Sequence, residues 1–355
     1  MAHLGTWENC GWIGVKNAPH FRKAAHLLRI CTAPTTFKWV KGHDGNEGNE
    51  GSDLLAKEGA RKNKVDPINL DIPIEFDIQR ARLNALTQAI AYRGIKDSKK
   101  VPTRNMTRGN LQKARDTIYE YTGSLETDES IWHSIRKQEI QTKIRQFLFK
   151  TMHGTQKIGK FWAAIETYAH HEHCRECGVT ETMEHILTRC REPPVRIIWS
   201  LTELAWPSKF LEWPQISLGL ILGCGCITDR KNDRREFPNE NWPRQQEKRG
   251  ASRLATILIS EAAHLIWVLH CERAIHGKQH TDNEINTRWR NIVNTRLTSN
   301  KIIATKIKRE KKFTNLVKNI WQTLLIKDAP LPHDWINNRE VLVGRRPRYA
   351  PFEED

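Results

Sequence analysis

The feature of this sequence that most restricts its fold is a group of three cysteines and one histidine in a short stretch. Cys174 and Cys177 form a Cys-x2-Cys pair, His185 follows after seven intervening residues, and Cys190 follows after four more. A two-residue gap lets two thiolates reach one ion from a tight turn, and zinc prefers four tetrahedral nitrogen and sulfur ligands in closed structural sites. The spacing therefore predicts a structural zinc ion with no ligand position left for a substrate.

Two other interpretations of these residues stay open. They could be ordinary buried cysteines beside a surface histidine, although three of the eight cysteines would then fall by chance within seventeen residues. His173, directly before the first cysteine of the pair, could also replace His185, although that position is geometrically awkward. A shorter pair, Cys224 and Cys226, lies in an uncharged and largely apolar run, where core thiols are the better expectation.

The charge of the chain favours a polyanionic partner. Lys and Arg total 57 against 41 Asp and Glu, which gives a formal net charge of +16 over 355 residues. The positive charge is clustered, and nucleic acid is the usual partner of such clusters. The alternative is a solvated basic surface with no partner.

Neither secretion nor membrane insertion is expected. The most apolar stretch, from Leu254 to Cys271, contains Glu261, His264 and His270, which is typical of a core helix. The N-terminus has no charged region followed by an apolar run, so it does not resemble a secretory signal. Eight cysteines are too few for a disulfide scaffold, and the predicted metal ligands indicate a reducing compartment, the nucleus or the cytoplasm.

The residue patterns predict a mostly helical chain with a small α/β start. A β-strand is expected at 35–40, where β-branched and aromatic residues are frequent, followed by a glycine-rich loop at 42–51. A loose surface loop is expected at 228–250 because this segment is polar and interrupted by proline. Helices are expected at about 17–29, 52–61, 75–95, 108–122, 128–152, 182–188, 251–275, 282–298 and 301–326.

The segment around the start of the helix expected at 52–61 carries a histidine and a carboxylate. His43 lies in the glycine-rich loop, and Asp53 follows ten residues later, where the helix is expected to start. This pair suits metal-assisted phosphodiester cleavage, with Asp53 on Mg²⁺ and the imidazole moving a proton. Capping of the helix by Ser52 or Asp53 explains the same residues equally well.

This segment resembles the C-terminal third of a type-1 RNase H domain, through its Trp-Val-Lys-Gly-His and Gly-Asn-Glu-x-x-Asp-x-Leu-Ala motifs. The resemblance implies that His43 is the flexible catalytic histidine and Asp53 the last metal-binding carboxylate. It further implies that Asn49 and Glu50 contact the backbone of an RNA–DNA hybrid. The family's other three carboxylates precede the matching segment and have no counterpart here. Because two-metal catalysis needs several carboxylates, we expect no nuclease activity from this chain alone, and Mg²⁺ only at a completed site.

The cysteine-rich segment resembles a second module. The stretch from Ile131 to Phe149, together with Cys174 to Cys190, is similar to the zinc-binding region that follows reverse transcriptase and RNase H in non-LTR retrotransposons, particularly fungal ones. A truncated RNase H segment followed by this region is the order at the C-terminal end of such a polyprotein. The two resemblances cover residues 5–62 and 128–200.

A basic helix is expected near the C-terminus. Neutralisation of phosphates by its cationic face would give sequence-independent, salt-dependent binding. Its apolar side supports packing on the core equally well. The tail at 345–348, Arg-Arg-Pro-Arg, adds charge and is a candidate nuclear address. The residues expected to contact phosphates are Lys306, Lys308, Arg309, Lys311 and Lys312.

These patterns together predict an α+β, mostly α chain. Its leading functional interpretation is a retrotransposon-derived protein that binds an RNA–DNA hybrid or a single strand and holds structural Zn²⁺. One competing hypothesis is an RNA–DNA hybrid ribonuclease whose missing carboxylates come from a partner chain or a longer gene product; another is a decayed gene product without function. The expected divisions are a truncated RNase H-type fragment at 1–62, a helical linker at 63–127, the zinc-binding module at 128–200, a helical basic region at 201–330 and a disordered tail at 331–355.

Overall fold

The chain forms two compact units, Met1–Pro102 and Thr103–Asp355. The expectation of a mostly helical protein is confirmed: helices dominate the described residues, which include no strand, and His173 and Thr180 form an isolated antiparallel bridge. The computed structural model describes residues 3–42, 45–62, 67–76, 81–99, 102–227, 242–306, 310–325, 331–332 and 334–343.

The described part of the first unit contains four α-helices: α1 (Leu4–Asn9), α2 (Ala18–Ile30), α3 (Glu47–Ala60) and α4 (Gln88–Lys99). Helix α2 lies where it was expected. Helix α3 begins five residues earlier than expected, because the side chain of Asn46 accepts a hydrogen bond from the Asn49 backbone N–H at 3.0 Å and caps it there. Part of the predicted glycine-rich loop is therefore helical.

The β-strand predicted at 35–40 is wrong. This segment has no regular structure, and its side chains are exposed, with Trp39 at 82%. A strand needs a neighbour to pair its N–H and C=O groups, and the described part of the first unit contains no other strand. The helix predicted at 75–95 is also displaced, since α4 starts only at Gln88.

The first unit has a very small core. Among its described residues only Trp12, Ala25 and His26 are buried. Ring contacts supplement this core, with Trp7 lying 4.9 Å from Phe21 between centroids. Burial on this scale supplies little of the free energy that ordering the segment costs.

The second unit holds the main hydrophobic core and nine further α-helices among its described residues. The predicted linker at 63–127 is divided between the units, because its last helix packs in the second one. The helices are α5 (Asn105–Thr122), α6 (Asp128–Ser134), α7 (Thr142–His153), α8 (Lys160–Ala163), α9 (Pro193–Leu204), α10 (Leu218–Gly223), α11 (Trp242–His276), α12 (Asp282–Lys306) and α13 (Glu310–Leu325).

Two predicted helices of this unit are each split in two. The segment at 128–152 is interrupted between α6 and α7, where the Arg145 guanidinium donates to the Ile140 and Lys137 carbonyls and closes the turn. The segment at 301–326 is shared by α12 and α13. Its first residue, Lys301, is buried and donates to the carbonyls of Asn338 and Val341 rather than facing solvent.

Close helix contacts at glycines organise the core. Helix α10 lies against α5 at Gly219, where a Cβ atom would meet the Lys113 carbonyl oxygen at 2.4 Å. Helix α11 lies against α13 at Gly250. A tryptophan joins α12 to α9, because the Trp289 indole donates to the Thr202 hydroxyl at 3.2 Å.

Helix α11 is the central element of this core. Its segment Gln245–His276 is long and apolar enough to cross a membrane by length and composition, and 78% of its most apolar window is buried inside the protein. Such burial is what a core helix requires, as expected for 251–275. The helix starts at Trp242, inside the loop predicted at 228–250, and 228–241 lie outside the described residues.

Candidate metal centre

A short hairpin positions the first two cysteines. The Cys174 N–H donates to the Val179 carbonyl at 2.9 Å, and the Gly178 N–H donates back to the Cys174 carbonyl at 2.8 Å. Gly178 has φ +69°, a left-handed conformation that favours glycine. The resulting turn places the Cys177 side chain beside that of Cys174, as a Cys-x2-Cys knuckle requires.

A widened helical turn positions the other two ligands. The Thr182 hydroxyl accepts from the His185 N–H at 3.1 Å and starts the turn. It continues as a π-helix over His185–Arg189, and the Cys190 N–H donates to the His185 carbonyl at 2.8 Å. Because an α-helix aligns side chains three or four residues apart, a spacing of five suits this wider turn. The short helix predicted at 182–188 is therefore present, and most of it is a π-helix.

The four side chains expected to bind zinc converge. One potential ligand atom from each of Cys174, Cys177, His185 and Cys190 lies within 4.8 Å of all the others. The Cys190 sulfur is 3.7 Å from that of Cys174 and 3.9 Å from that of Cys177. Zinc–sulfur bonds of about 2.3 Å at tetrahedral angles place two sulfurs about 3.8 Å apart. The cluster could therefore hold a metal ion.

His185 fits the role of the nitrogen ligand. Its ring is buried, and its Nε2 atom has no hydrogen-bond partner. Burial lowers the pKa of this histidine, and the charges of Arg189 and Arg273 lower it further, so the imidazole is held in its neutral, metal-binding form. An orphaned buried nitrogen is costly unless a ligand satisfies it.

His173 does not join the cluster. Its side chain is largely exposed, with Nδ1 3.8 Å from a Glu172 oxygen and Nε2 3.4 Å from the Thr180 hydroxyl. The geometry thus favours His185 over the alternative left open by the sequence.

The three thiols of the cluster are free and close together. Burial raises the pKa of the Cys190 thiol, and the neighbouring Cys174 and Cys177 raise it further. A cation among the sulfurs would reverse this effect, because thiolates are the metal-binding form. The Arg191 backbone N–H donates to the Cys177 sulfur at 3.3 Å, a contact that stabilises a thiolate.

Surrounding ion pairs and core contacts hold the cluster on the second unit. Glu184, next to His185, pairs with Lys113 of α5 at 2.6 Å. Glu192, just after Cys190, pairs with Arg273 of α11 at 3.0 Å. The core side of the turn is formed by Met183, Ile186 and Leu187.

The residues assigned by the RNase H resemblance do not form a comparable site. His43 lies outside the described residues. Asp53 is the seventh residue of α3 rather than its first, while Glu50 is exposed and Asn49 is half-buried in the first two turns. Among the described residues, no group of three or more carboxylate, histidine or cysteine ligands includes Asp53.

The structure describes some of the remaining predicted residues, the second cysteine pair and the basic residues near the C-terminus, and leaves others outside the described residues. Both Cys224 and Cys226 are buried, and burial raises the pKa of Cys224 to about 12, which suits inert core thiols. Lys306 is exposed at the end of α12. Lys308 and Arg309, and the side chains of Lys311 and Lys312, lie outside the described residues.

The sequence patterns did not predict a groove that lies beside the metal segment. It has a volume of about 730 Å³ and is lined by lysine, histidine and aromatic side chains from α7, α11 and residues 155–171. The spacing of Lys143, Phe147 and Lys150, by four and then three residues, indicates that they share a helix face, and this face forms one wall of the groove. The pattern did not show which distant segment faces it.

Comparison of the chain with profiles of known families, with curated proteins and with solved structures finds no match.

Proposed function

We propose that Cys174, Cys177, His185 and Cys190 bind one structural zinc ion, and that the unit stabilised by this ion binds nucleic acid. The observation that carries the proposal is the convergence of the four ligand atoms within 4.8 Å. Thiolate and imidazole donors in a tetrahedral arrangement select zinc over calcium or magnesium, which prefer oxygen ligands. Four protein ligands leave no open position, so the ion's role is structural.

The net charge of +16 supports the nucleic-acid part of the proposal. Lysine and arginine side chains that neutralise phosphates release counterions, which gives affinity without sequence specificity. The resemblance to a retrotransposon zinc-binding region supports a proposed origin for the chain. On this proposal it derives from the C-terminal part of a retrotransposon polyprotein, keeps a remnant of the RNase H domain, and acts in the nucleus or cytoplasm. On this proposal the chain has no nuclease activity of its own.

Metal content tests the zinc site directly. Purified protein should contain about one equivalent of zinc by mass spectrometry. Cys177→Ser and His185→Ala should lose most of it, whereas His173→Ala should retain it. Cys31→Ser is a matched control, because Cys31 is exposed and its thiol donates only within its own loop. Metal retained by Cys177→Ser, or lost equally by Cys31→Ser, would contradict the assignment.

Fluorescence anisotropy tests nucleic-acid binding. A labelled single-stranded oligonucleotide should bind the zinc-loaded chain with an affinity that falls steeply as salt rises from about 50 to 200 mM. Each phosphate contact contributes about −0.7 to the slope of log affinity against log salt for a single strand. Affinity that is independent of salt would refute the electrostatic proposal.

RNA–DNA hybrid cleavage is the second candidate function, favoured by the residues around His43 and Asp53. We expect no Mg²⁺-dependent cleavage above background, since the described carboxylates do not converge on Asp53. Cleavage that disappears in Asp53→Asn would establish the ribonuclease instead. Glu58→Gln, in the same helix but outside the RNase H motif, is the control.

A further inference from the structure

The groove beside the metal segment has one wall formed by α7. Lys143, Phe147 and Lys150 are spaced by four and then three residues, so they share a face of this helix. Both lysines are exposed, whereas Phe147 is buried at the base between them. This face of α7 thus brings two lysine side chains to the groove, with the Phe147 ring at the base between them.

Helix α11 forms the floor on the other side of Phe147. The Trp267 ring lies 6.0 Å from Phe147 and 5.6 Å from His270 between centroids, with interplanar angles of 30° and 24°. Burial and the charge of Lys143 lower the pKa of His264 to about 4, so this ring is neutral at physiological pH. Phe147, Trp267 and His270 therefore form a row of stacked rings, and the His264 ring stands edge-on to Phe147 at 5.5 Å between centroids.

The facing wall is an aromatic cluster from residues 160–171. Trp162 lies 5.5 Å from Tyr168, and Tyr168 lies 6.1 Å from His171 with an interplanar angle of 20°. Tyr168 is 49% exposed. An aromatic face that remains accessible to solvent is available for a flat ligand.

Charge along the groove is predominantly positive. Lys157 joins Lys143 and Lys150, and its Nζ lies 5.4 Å from the Phe161 ring centroid. Glu181 is the only acidic residue among the described lining residues. Burial raises its pKa to about 7, so at neutral pH it carries less than a full negative charge.

We propose that this groove binds single-stranded nucleic acid, with phosphates against the three lysines and an unstacked base against Tyr168 and Trp162. This inference rests on the proposed nucleic-acid function and assigns it a site. Rows of lysines interleaved with aromatic rings are how proteins hold single strands without reading sequence. A duplex does not suit the groove, because its bases are stacked on one another and cannot face the rings.

The volume of about 730 Å³ agrees with this occupant. It falls within the range of about 300–1,000 Å³ that encloses a ligand of drug size, so a splayed base with its sugar and flanking phosphates can enter. The elements that line the groove all belong to the second unit, which holds the main core. The site therefore does not depend on the arrangement of the two units.

Anisotropy with substituted full-length chains, loaded with zinc, tests the groove. Tyr168→Ala should weaken binding of a labelled single-stranded DNA by about 5- to 150-fold, the range for loss of one base–aromatic stack. Lys150→Ala should reduce the salt slope by about 0.7. The matched controls are Tyr119→Ala, a tyrosine 54% exposed on α5, and Lys209→Ala, whose Nζ lies 5.1 Å from the Phe210 ring. Both controls should bind like the parent.

The outcomes separate this inference from the proposed function. If the parent binds with a steep salt dependence and all four variants bind equally well, the groove is not the site, although nucleic-acid binding stands. If the parent does not bind at all, both proposals fail. Photo-crosslinking of a bromouracil-substituted strand gives an independent result: adducts should fall on the peptide that contains Trp162 and Tyr168, and adducts confined to other peptides would overturn the assignment.

Discussion

The contact between α11 and α13 at Gly250 gives a sharp test of the packing that supports the groove. Gly250 is buried in the interior of α11, where alanine would ordinarily be preferred. A Cβ atom there would lie 1.9 Å from the Asn319 carbonyl oxygen and 2.3 Å from its carbon. Ordinary contacts begin near 3.4 Å, so the two helices would have to separate by about 1.5 Å.

The cost of Gly250→Ala follows from what α13 buries. Val317, Ile320 and Trp321 are each at most 4% exposed, and a gap of about 1 Å forfeits a quarter to a half of each dispersion contact. Overpacking of this kind costs about 1–3 kcal/mol. Because alanine returns about 0.5–1 kcal/mol of helix propensity, we expect a net loss of about 1 kcal/mol from the free energy of unfolding.

Urea unfolding followed by circular dichroism measures this loss. Gly109→Ala is the matched control, since Gly109 lies inside α5 and a Cβ there meets no atom within 4 Å. The control should raise the free energy of unfolding by about 0.5–1 kcal/mol. If Gly250→Ala stabilises the chain as much as Gly109→Ala does, the close α11–α13 contact does not exist in solution.

Three further results are expected. His264→Gln should flatten the pH dependence of stability. The pKa of His264 is about 4 in the folded chain, whereas the unfolded chain binds a proton at this histidine below about pH 6.5. The parent should therefore lose about 1 kcal/mol of its free energy of unfolding between pH 7 and pH 5, after allowance for partial exposure. Arg296→Leu should destabilise by about 3 kcal/mol, because Glu261, 3.4 Å from the Arg296 Nε, stays buried without its cation, as urea unfolding would show. Trypsin should cut first at Lys38 and Lys41, in an exposed segment without regular structure, as mass spectrometry of early fragments would show.

Each of these has a clear contrary result. A parallel loss of stability with falling pH in the parent and in His264→Gln would place the titrating group elsewhere. Arg296→Leu with unchanged stability would mean that Glu261 is protonated or solvated. Early cleavage within α11 or α12, with 31–42 intact, would contradict the contrast in burial between the units.

Local patterns predicted the helices well because a helix satisfies its own backbone groups. Helix α2 and most of α5 were located from periodicity alone. The strand at 35–40 failed for the opposite reason, since β-branched residues indicate a strand only if a second one lies beside it. The start of α3 was missed because one side-chain contact, from Asn46 to the Asn49 N–H, outweighed the glycines that suggested a loop.

The metal cluster was predictable because its ligands are close in sequence and their spacing is tied to turn geometry. What the spacing could not show was the π-helical turn that joins His185 to Cys190, or the orphaned Nε2 that distinguishes His185 from His173. The groove was unpredictable for a different reason. Its walls come from α7, residues 155–171 and α11, and only long-range packing brings these segments together.

The metal cluster and the groove share a single short element. His171 lies three residues before Cys174, Glu181 lies four residues before His185, and both line the groove. Between them lies the hairpin around Cys177, which carries two of the thiols and is closed by backbone hydrogen bonds from Cys174 to Val179 and from Glu181 to Glu172, so an ion on the thiols would constrain it further. A structural zinc ion would therefore stabilise one wall of the groove without touching its occupant. On the two proposals together, the ion contributes to nucleic-acid binding by ordering the segment that carries His171 and Glu181, while the lysines of α7 supply the charge.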